Sequence, residues 1–304
     1  MDPREGNQRA CLTCDLPITT LSKLNPALSQ IANISYTESE AVMNYSSLQV
    51  TGRRRLDHGL EFLANWTYSK GLSNNLGYYG AGGGAGDSQS AYWQDAYNGG
   101  ADYGPTYFDA THNVSISGYY ELPFGRGRQF GGGMNRIADE VVGGWKVGSI
   151  MSFHTGFPIT VNSNAFYSAA VNARAARANH LRALHVRGRT ETNYFGTDPS
   201  AGTCASDTDN GTCAYQEQSA SSFGNASVGS ERDPGYQQID LALSKDFAIT
   251  EGSHIEFRSD FLNAFNMVSL APPSNNASPG NNFGQISNTV NEPRNIQLAL
   301  KFVF

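Results

Sequence analysis

The sequence has no long apolar run, few charged residues and no excess of basic residues. No stretch of its 304 residues approaches the roughly 18 consecutive apolar residues of a membrane-spanning helix, which excludes a helical membrane protein. A transmembrane β-barrel is not excluded, because only alternate residues of its strands meet lipid. Charged residues make up only 16% of the chain, and the net charge of -6 argues against a nucleic-acid partner, which requires a basic face.

Cysteine is also scarce, and its four residues form two close pairs, Cys11 with Cys14 and Cys204 with Cys213. Four cysteines allow three pairings, between which the sequence alone does not choose. We interpret them as candidate disulfides within exposed loops, which implies an oxidising compartment. A shared zinc site is disfavoured because about 190 residues separate the two pairs.

The chain is instead rich in aromatic residues and glycine, with 15 Tyr, 16 Phe and 33 Gly. Seven segments alternate apolar and polar residues with a period of two, which is typical of β-strands with one apolar face. The segments are residues 45–55, 60–68, 112–122, 145–153, 236–246, 255–265 and 294–304. We therefore predict an all-β fold with about seven antiparallel strands.

The charges within these segments fall on the polar face, apart from Lys245 at the margin of the apolar face. The charges on the polar face are Arg53, Glu61, Glu121, Lys146, Asp240, Glu256, Arg258, Asp260 and Lys301. A membrane-facing surface must exclude such groups, since an Arg or Lys at the bilayer midplane costs about 2–4 kcal/mol. A soluble β-sandwich also hides one face, so this pattern alone does not separate the two architectures.

The lengths of the connections favour the barrel. The links at 56–59, 123–144 and around 250–252 are the shorter ones, and a short helix is expected within 134–142. The links at 69–108, 154–236 and 266–294 are longer, so shorter and longer connections alternate strictly. Bacterial barrels show this alternation because their periplasmic turns are short and their extracellular loops are long. Aromatic residues at strand ends, such as Trp66, Tyr68 and Trp145, fit the aromatic girdles of a barrel.

The strand count predicts that the chain is the C-terminal part of a larger barrel. With short turns in the periplasm, the first strand starts outside the cell, whereas a closed single-chain barrel has an even number of strands and both ends inside. Seven strands in an open sheet would also leave two unpaired edges in lipid. We expect residues 1–44 to be the remnant of an extracellular loop and residues 45–304 to be the C-terminal barrel strands. The N-terminus lacks the apolar core of a secretory signal, which fits a fragment.

Several segments together resemble the Oar-like TonB-dependent receptors of the outer membrane. They are YSSLQVTGRRR (45–55), HGLEFLANWTYSK (58–70), YELPFGR (120–126), GGWKV (143–147), TGFP (155–158), PGYQQIDLALSKDF (234–247), FRSDFLNAFN (257–266) and RNIQLALKFVF (294–304). The resemblance covers about residues 40–304, and each motif alone is weakly specific.

This resemblance implies a barrel of about 22 strands closed around a plug. It implies energised uptake of a large nutrient, such as a siderophore or a glycan, in contact with outer-membrane lipid. It also implies coupling to the TonB complex through an N-terminal part that is missing here. The final aromatic residues, Phe302 and Phe304, resemble the signal that the barrel-assembly machinery recognises. The transported ligand is not identified, and the candidate loop contacts for it are Tyr78, Tyr79, Tyr92, Trp93 and Tyr97.

Two other functions stay open: a soluble secreted β-sandwich with adhesive loops, and a barrel enzyme of the outer membrane. The enzyme would have to use Asp109, His112 and His154 at the barrel mouth, but no catalytic spacing supports that set. The six histidines have no metal-ligand spacing. The segment 207–211 departs from a calcium loop, because its glycine comes one residue early and position 218 is Gln. We therefore expect no enzymatic activity, no metal and no cofactor.

Overall fold

The computed structural model describes residues 40–74, 93–94, 98–163, 176–184, 186–196, 202–219, 222–250 and 252–304. In chain order its elements are β1 (Met43–Asp57), β2 (Leu60–Ser73), a 3-10 turn (Gly99–Asp102), β3 (Gly104–Pro105), β4 (His112–Glu121), α1 (Arg136–Val142), β5 (Lys146–His154), β6 (Pro158–Ile159), β7 (Asn179–His180), β8 (Thr203–Cys204), β9 (Tyr215–Gln216), β10 (Glu231–Arg232), β11 (Tyr236–Ala248), β12 (His254–Leu262) and β13 (Asn295–Val303).

The seven long strands form one antiparallel sheet in the order β1-β2-β4-β5-β11-β12-β13, and the short β3 pairs with the end of β2. Each long strand pairs with the next long strand along the chain, and only short elements lie between the two in the sequence. This confirms the predicted all-β antiparallel fold. Among the described residues β1 and β13 do not pair with each other, so the sheet is open at both edges.

Three of the predicted strand bounds need correction. β1 begins at Met43, so the predicted boundary after residue 44 lies two residues too late. β2 continues to Ser73, five residues beyond the predicted end, because β1 pairs with it along its whole length. β12 ends at Leu262 rather than at residue 265, because Asn263 and Asn266 have positive φ angles of 50° and 51° and turn the chain. The other ends coincide with the predicted ones or differ from them by at most two residues, which is within the usual uncertainty of strand assignment.

Short turns and α1 lie at one end of the sheet, and the longer connections lie at the other. The turn between β1 and β2 is only His58 and Gly59, with φ angles of 50° and 82°, as a two-residue hairpin turn with left-handed central residues requires. The β4–β5 connection includes α1, which begins two residues after the predicted start. The alternation of shorter and longer connections therefore holds in the structure.

The hydrophobic core lies in the long connections rather than on the sheet. One cluster is formed by Val161, Ala178, Ala214, Tyr215, Ala226 and Ala277, and a second by Tyr194, Phe195 and Ile286. Two small sheets, β10-β6 and β7-β9-β8, belong to the same region. We call the described residues of 98–111, 155–235 and 263–294 the loop cap. It is a packed unit at the end of the sheet opposite α1.

The described part of the chain contains no helix that is both long and apolar enough to cross a membrane.

Candidate functional site

The two faces of the sheet differ in chemistry, and the register of the strands shows which residues share each face. One face is almost entirely apolar. It carries Leu48, Val50, Phe62, Trp66, Val114, Ile116, Tyr120, Val147, Met151, Phe153, Ile239, Leu241, Leu243, Phe257, Phe261, Ile296, Leu298, Leu300 and Phe302. Many of these side chains are exposed in the absence of any covering layer, with Leu298 at 71% and Leu300 at 72%. We call this the apolar face.

The opposite face is a polar trough that crosses the sheet. Its charged lining residues are Arg53, Glu61, Glu121, Lys146, Asp240, Arg258 and Asp260. Near the short-turn end the charges pair: Arg128 with Glu121 at 2.9 Å, and Lys146 with Asp246 at 3.3 Å. Because water screens exposed ion pairs, these pairs contribute little to stability. We call this the lumen face.

The apolar face carries aromatic side chains near both of its ends. On the loop side, Trp66 stacks on His112, the first residue of β4, with ring centroids 5.9 Å apart, and its indole N–H donates to Nδ1 of that ring at 3.3 Å. At the short-turn end, Trp145 makes edge-on contacts with Phe247 and Phe257 at 6.4 and 6.0 Å. Aromatic rings on both sides of a band of aliphatic residues are typical of a surface that crosses a bilayer.

A comparison with protein families agrees with this geometry. The model of a family described as an outer membrane beta barrel domain matches residues 1–297. The chain belongs to this outer-membrane β-barrel family. It is therefore an outer-membrane protein, and the soluble β-sandwich is wrong: in the described residues no second sheet covers the apolar face. No curated protein matches the chain.

Membership in this family orients the barrel wall. Outer-membrane barrels have short periplasmic turns and long extracellular loops, so α1 lies at the periplasmic end and the loop cap is extracellular. The apolar face meets lipid and the lumen face meets water.

One sequence-based expectation needs correction, because Lys245 is not the only cation on the apolar side. Arg54 pairs opposite Phe62 and Lys70 pairs opposite Ser46. Both lie near strand ends, where a long side chain reaches the headgroup layer.

Two ion pairs hold the loop cap of this barrel together and tie it to the wall. Arg177 bonds to Asp102, and both side chains are almost completely buried. Arg232 contacts Asp109 at 2.6 Å, and the same carboxylate accepts the backbone N–H of Gly71 on β2 at 2.8 Å. Sequence reasoning missed these pairs, since the partners are 75 and 123 residues apart and no local pattern links them.

Acidic side chains inside the cap have shifted pKa values. Burial raises the pKa of Asp233 to about 7, although the N–H of Phe157 donates to its Oδ1 at 2.5 Å and favours the ionised form. Burial also raises the pKa of Glu231, whose Oε1 accepts the hydroxyl of Tyr215 at 2.6 Å. Burial raises the pKa of that hydroxyl in turn, with the Glu231 charge acting in the same direction.

A disulfide and an ion pair close the cap segment around β8 and β9. Cys204 and Cys213 form a disulfide with their Cα atoms 5.9 Å apart. Arg182 binds both carboxylate oxygens of Asp209 at 2.8 and 2.7 Å, and this hydrogen bonding lowers the pKa of Asp209 to about 2. The two sulfurs and this carboxylate lie within 4.8 Å of one another. They do not make a metal site, because the sulfurs are bonded to each other and Arg182 already neutralises the carboxylate.

Most of the candidate loop contacts lie outside the described residues. These are Tyr78, Tyr79, Tyr92 and Tyr97, together with the candidate disulfide residues Cys11 and Cys14. Trp93 is described and half-buried, and its indole N–H donates to the backbone oxygen of Asn74 at 2.5 Å. The final aromatics stack on each other, with the rings of Phe302 and Phe304 5.9 Å apart. Their role as an assembly signal stays a prediction.

The three residues considered for an enzyme have structural partners of their own. Asp109 is paired with Arg232, and His112 bonds to Trp66. His154 stacks on Tyr236 with centroids 5.3 Å apart, and its Nδ1 lies 3.0 Å from the backbone oxygen of Thr155. The two histidines lie at the loop end of the sheet, where β4 begins at His112 and β5 ends at His154.

Proposed function

We propose that the chain forms part of the barrel wall of a TonB-dependent receptor, which takes up a large nutrient such as a siderophore or a glycan. The observation that carries this proposal is the charged lumen face beneath a folded extracellular cap. A wall that only anchors a protein in lipid has no need of Arg53, Glu61, Asp240, Arg258 and Asp260 on its inner side. A wide lumen filled by water and by a plug suits such charges. The motifs that resemble the Oar-like receptors run along the same strands.

The open edges of the sheet support a barrel with more strands. Along an unpaired strand in lipid, alternate backbone N–H and C=O groups have no hydrogen-bond partner, and each costs several kcal/mol. Both β1 and β13 present such an edge within the described sheet. In the receptor that we propose, further strands pair with both edges and close the wall. Contact with the TonB complex and the enclosed plug belong to that larger assembly.

The loop cap supplies the surface that first meets the nutrient. It is held by the buried pair of Arg177 with Asp102 and is tied to β2 through Asp109, so its binding surface is fixed relative to the lumen. We place the ligand contacts on the tyrosine-rich connection between β2 and β4, where Tyr78, Tyr79, Tyr92 and Tyr97 lie in sequence. Aromatic rings of this kind stack on sugars and on flat chelates. We also propose that the protein is not an enzyme and uses no cofactor.

Uptake in living cells tests this function. Cells with and without the gene are supplied with candidate nutrients in labelled form, each in the presence and absence of TonB. We expect one class of nutrient to enter only when both the protein and TonB are present. Uptake that needs the protein but not TonB would contradict the proposal and identify a passive pore. Surface proteolysis of the cap provides the control for the amount of folded protein in each strain.

A further inference from the structure

The helix α1 is attached to the membrane-facing side of the barrel wall. Its last carbonyl groups accept hydrogen bonds from two residues of the apolar face. Trp145 donates its indole N–H to the oxygen of Val141 at 2.9 Å, and Lys245 donates its ammonium to the oxygen of Glu140. Lys245 pairs opposite Phe257 in the sheet, which places it among the lipid-facing residues. The helix therefore lies beside the wall and not below the lumen.

The position of Lys245 gives a physical reason for this attachment. Its side chain is only 2% exposed although it lies on a face that meets lipid. The ammonium sits 5.5 Å from the ring centre of Trp145 and 4.9 Å from that of Phe247. The C-terminal end of a helix carries partial negative charge, which favours a cation at this point. The end of α1 thus shields a charge that would otherwise be unfavourable in lipid.

The outward side of α1 is apolar and has no cover. Ile137 is 79% exposed and Val141 is 62% exposed. They are four residues apart and so share one side of the helix. Polar contacts occupy the opposite side, where Asp139 Oδ1 accepts the backbone N–H of Arg126 at 2.6 Å. The seven-residue helix α1 is therefore amphipathic. Its apolar side continues the lipid-facing surface of Trp145.

We infer that α1 is an interfacial anchor, seated with Ile137 and Val141 among the phospholipids of the periplasmic leaflet. The occupant is phospholipid because the exposed side chains extend a surface that already meets lipid. The anchor fixes the periplasmic rim of the wall at the membrane surface. It does not depend on the identity of the transported nutrient.

Site-directed spin labelling of the full chain tests this inference. Single labels are placed by Ile137→Cys, Val141→Cys and, as a matched control on another side of the helix, Arg136→Cys. Cys11 and Cys14 are replaced by serine in all three variants. The chain, within the complete barrel whose further strands pair with β1 and β13, is inserted into vesicles of phosphatidylethanolamine and phosphatidylglycerol. Collision rates of each label with oxygen and with a water-soluble nickel chelate are then measured.

We expect the labels at 137 and 141 to lose most of their collisions with nickel, relative to the label at 136, while they stay accessible to oxygen. Equal access to nickel at all three sites would overturn the inference, because α1 would then project into periplasmic water. Protection of 137 and 141 from both reagents would also overturn it, since a protein surface and not lipid would cover the helix. Heat-modifiable mobility on a gel checks that each labelled barrel is folded.

Discussion

Arg177 and Asp102, which are 75 residues apart in the sequence, form a buried ion pair at the centre of the loop cap. Gln94 joins the same cluster, accepting the backbone N–H of Arg177 at 2.8 Å and donating its own backbone N–H to Asp102 at 3.1 Å. Its side-chain amide also donates to the oxygen of Gly224 at 2.8 Å. Three separate loop segments therefore meet at this charge pair.

Removing one partner of this pair should loosen the cap without unfolding the wall. Asp102→Asn leaves the guanidinium of Arg177 buried without its counter-charge, which typically costs about 3–5 kcal/mol. We expect faster proteolysis within the cap and unchanged heat-modifiable mobility of the barrel. Arg128→Gln is the control, because its pair with Glu121 is exposed and an exposed pair contributes at most about 1 kcal/mol. Equal proteolysis rates in both variants and in the wild type would contradict a central role for the buried pair.

The cap should also become less stable as the pH rises towards neutrality. The pKa of Asp233 is about 7 in the folded cap, above its ordinary value of 3.8, because the carboxyl is buried. At pH values between 3.8 and about 7, the carboxyl of Asp233 loses its proton when the cap opens and keeps it when the cap is closed. The free energy that favours the closed cap therefore falls from about pH 4 to pH 7 and then levels off. Glu231, whose pKa burial also raises, contributes in the same direction.

Hydrogen exchange at the amide of Phe157 measures this effect, since that N–H donates to Asp233. After correction for intrinsic rates, we expect its protection to be lower at pH 7.5 than at pH 5. Asp233→Asn keeps an acceptor oxygen but does not titrate, so the difference should shrink in that variant. Protection that rises with pH in the wild type would show that the carboxyl is ionised in the closed cap.

A charge on the apolar face should destabilise the barrel in lipid, whereas the same charge on the neighbouring residue should not. Leu298→Arg places a guanidinium on the apolar face, at a cost of about 2–4 kcal/mol near the midplane. Gln297→Arg directs the charge to the lumen face, opposite the carboxylate of Asp260. Denaturant unfolding in phospholipid vesicles compares the two variants. Similar losses of stability in both would contradict the assignment of the faces.

The bond between Lys245 and Glu140 should hold α1 on the wall. Lys245→Met keeps much of the side-chain volume but removes the donor, and an unsatisfied buried carbonyl costs about 1–3 kcal/mol. We expect faster hydrogen exchange of the backbone amides in α1. Lys146→Met is the matched control, since Lys146 lies on the lumen face in an exposed pair with Asp246. If both variants exchange alike, the helix is held by other contacts.

The strands and the chemistry of their faces could be predicted because they depend on local alternation. In β13, Ile296, Leu298 and Leu300 fall on one side and Gln297 and Lys301 on the other, whatever the rest of the chain does. Errors occurred where a turn residue overrode the pattern. β12 stops at Leu262 because Asn263 adopts a positive φ, which hydrophobicity does not reveal.

The antiparallel sheet, its apolar and charged faces and the alternation of short and long connections could all be predicted from residues that are close together along the chain. The folded structure was needed to show that the long loops pack into a cap around Arg177 and Asp102, and that α1 covers Lys245 on the membrane side. Those contacts join residues 75 and 105 positions apart. Packing and desolvation select such partners, and neither leaves a periodic signal in the sequence.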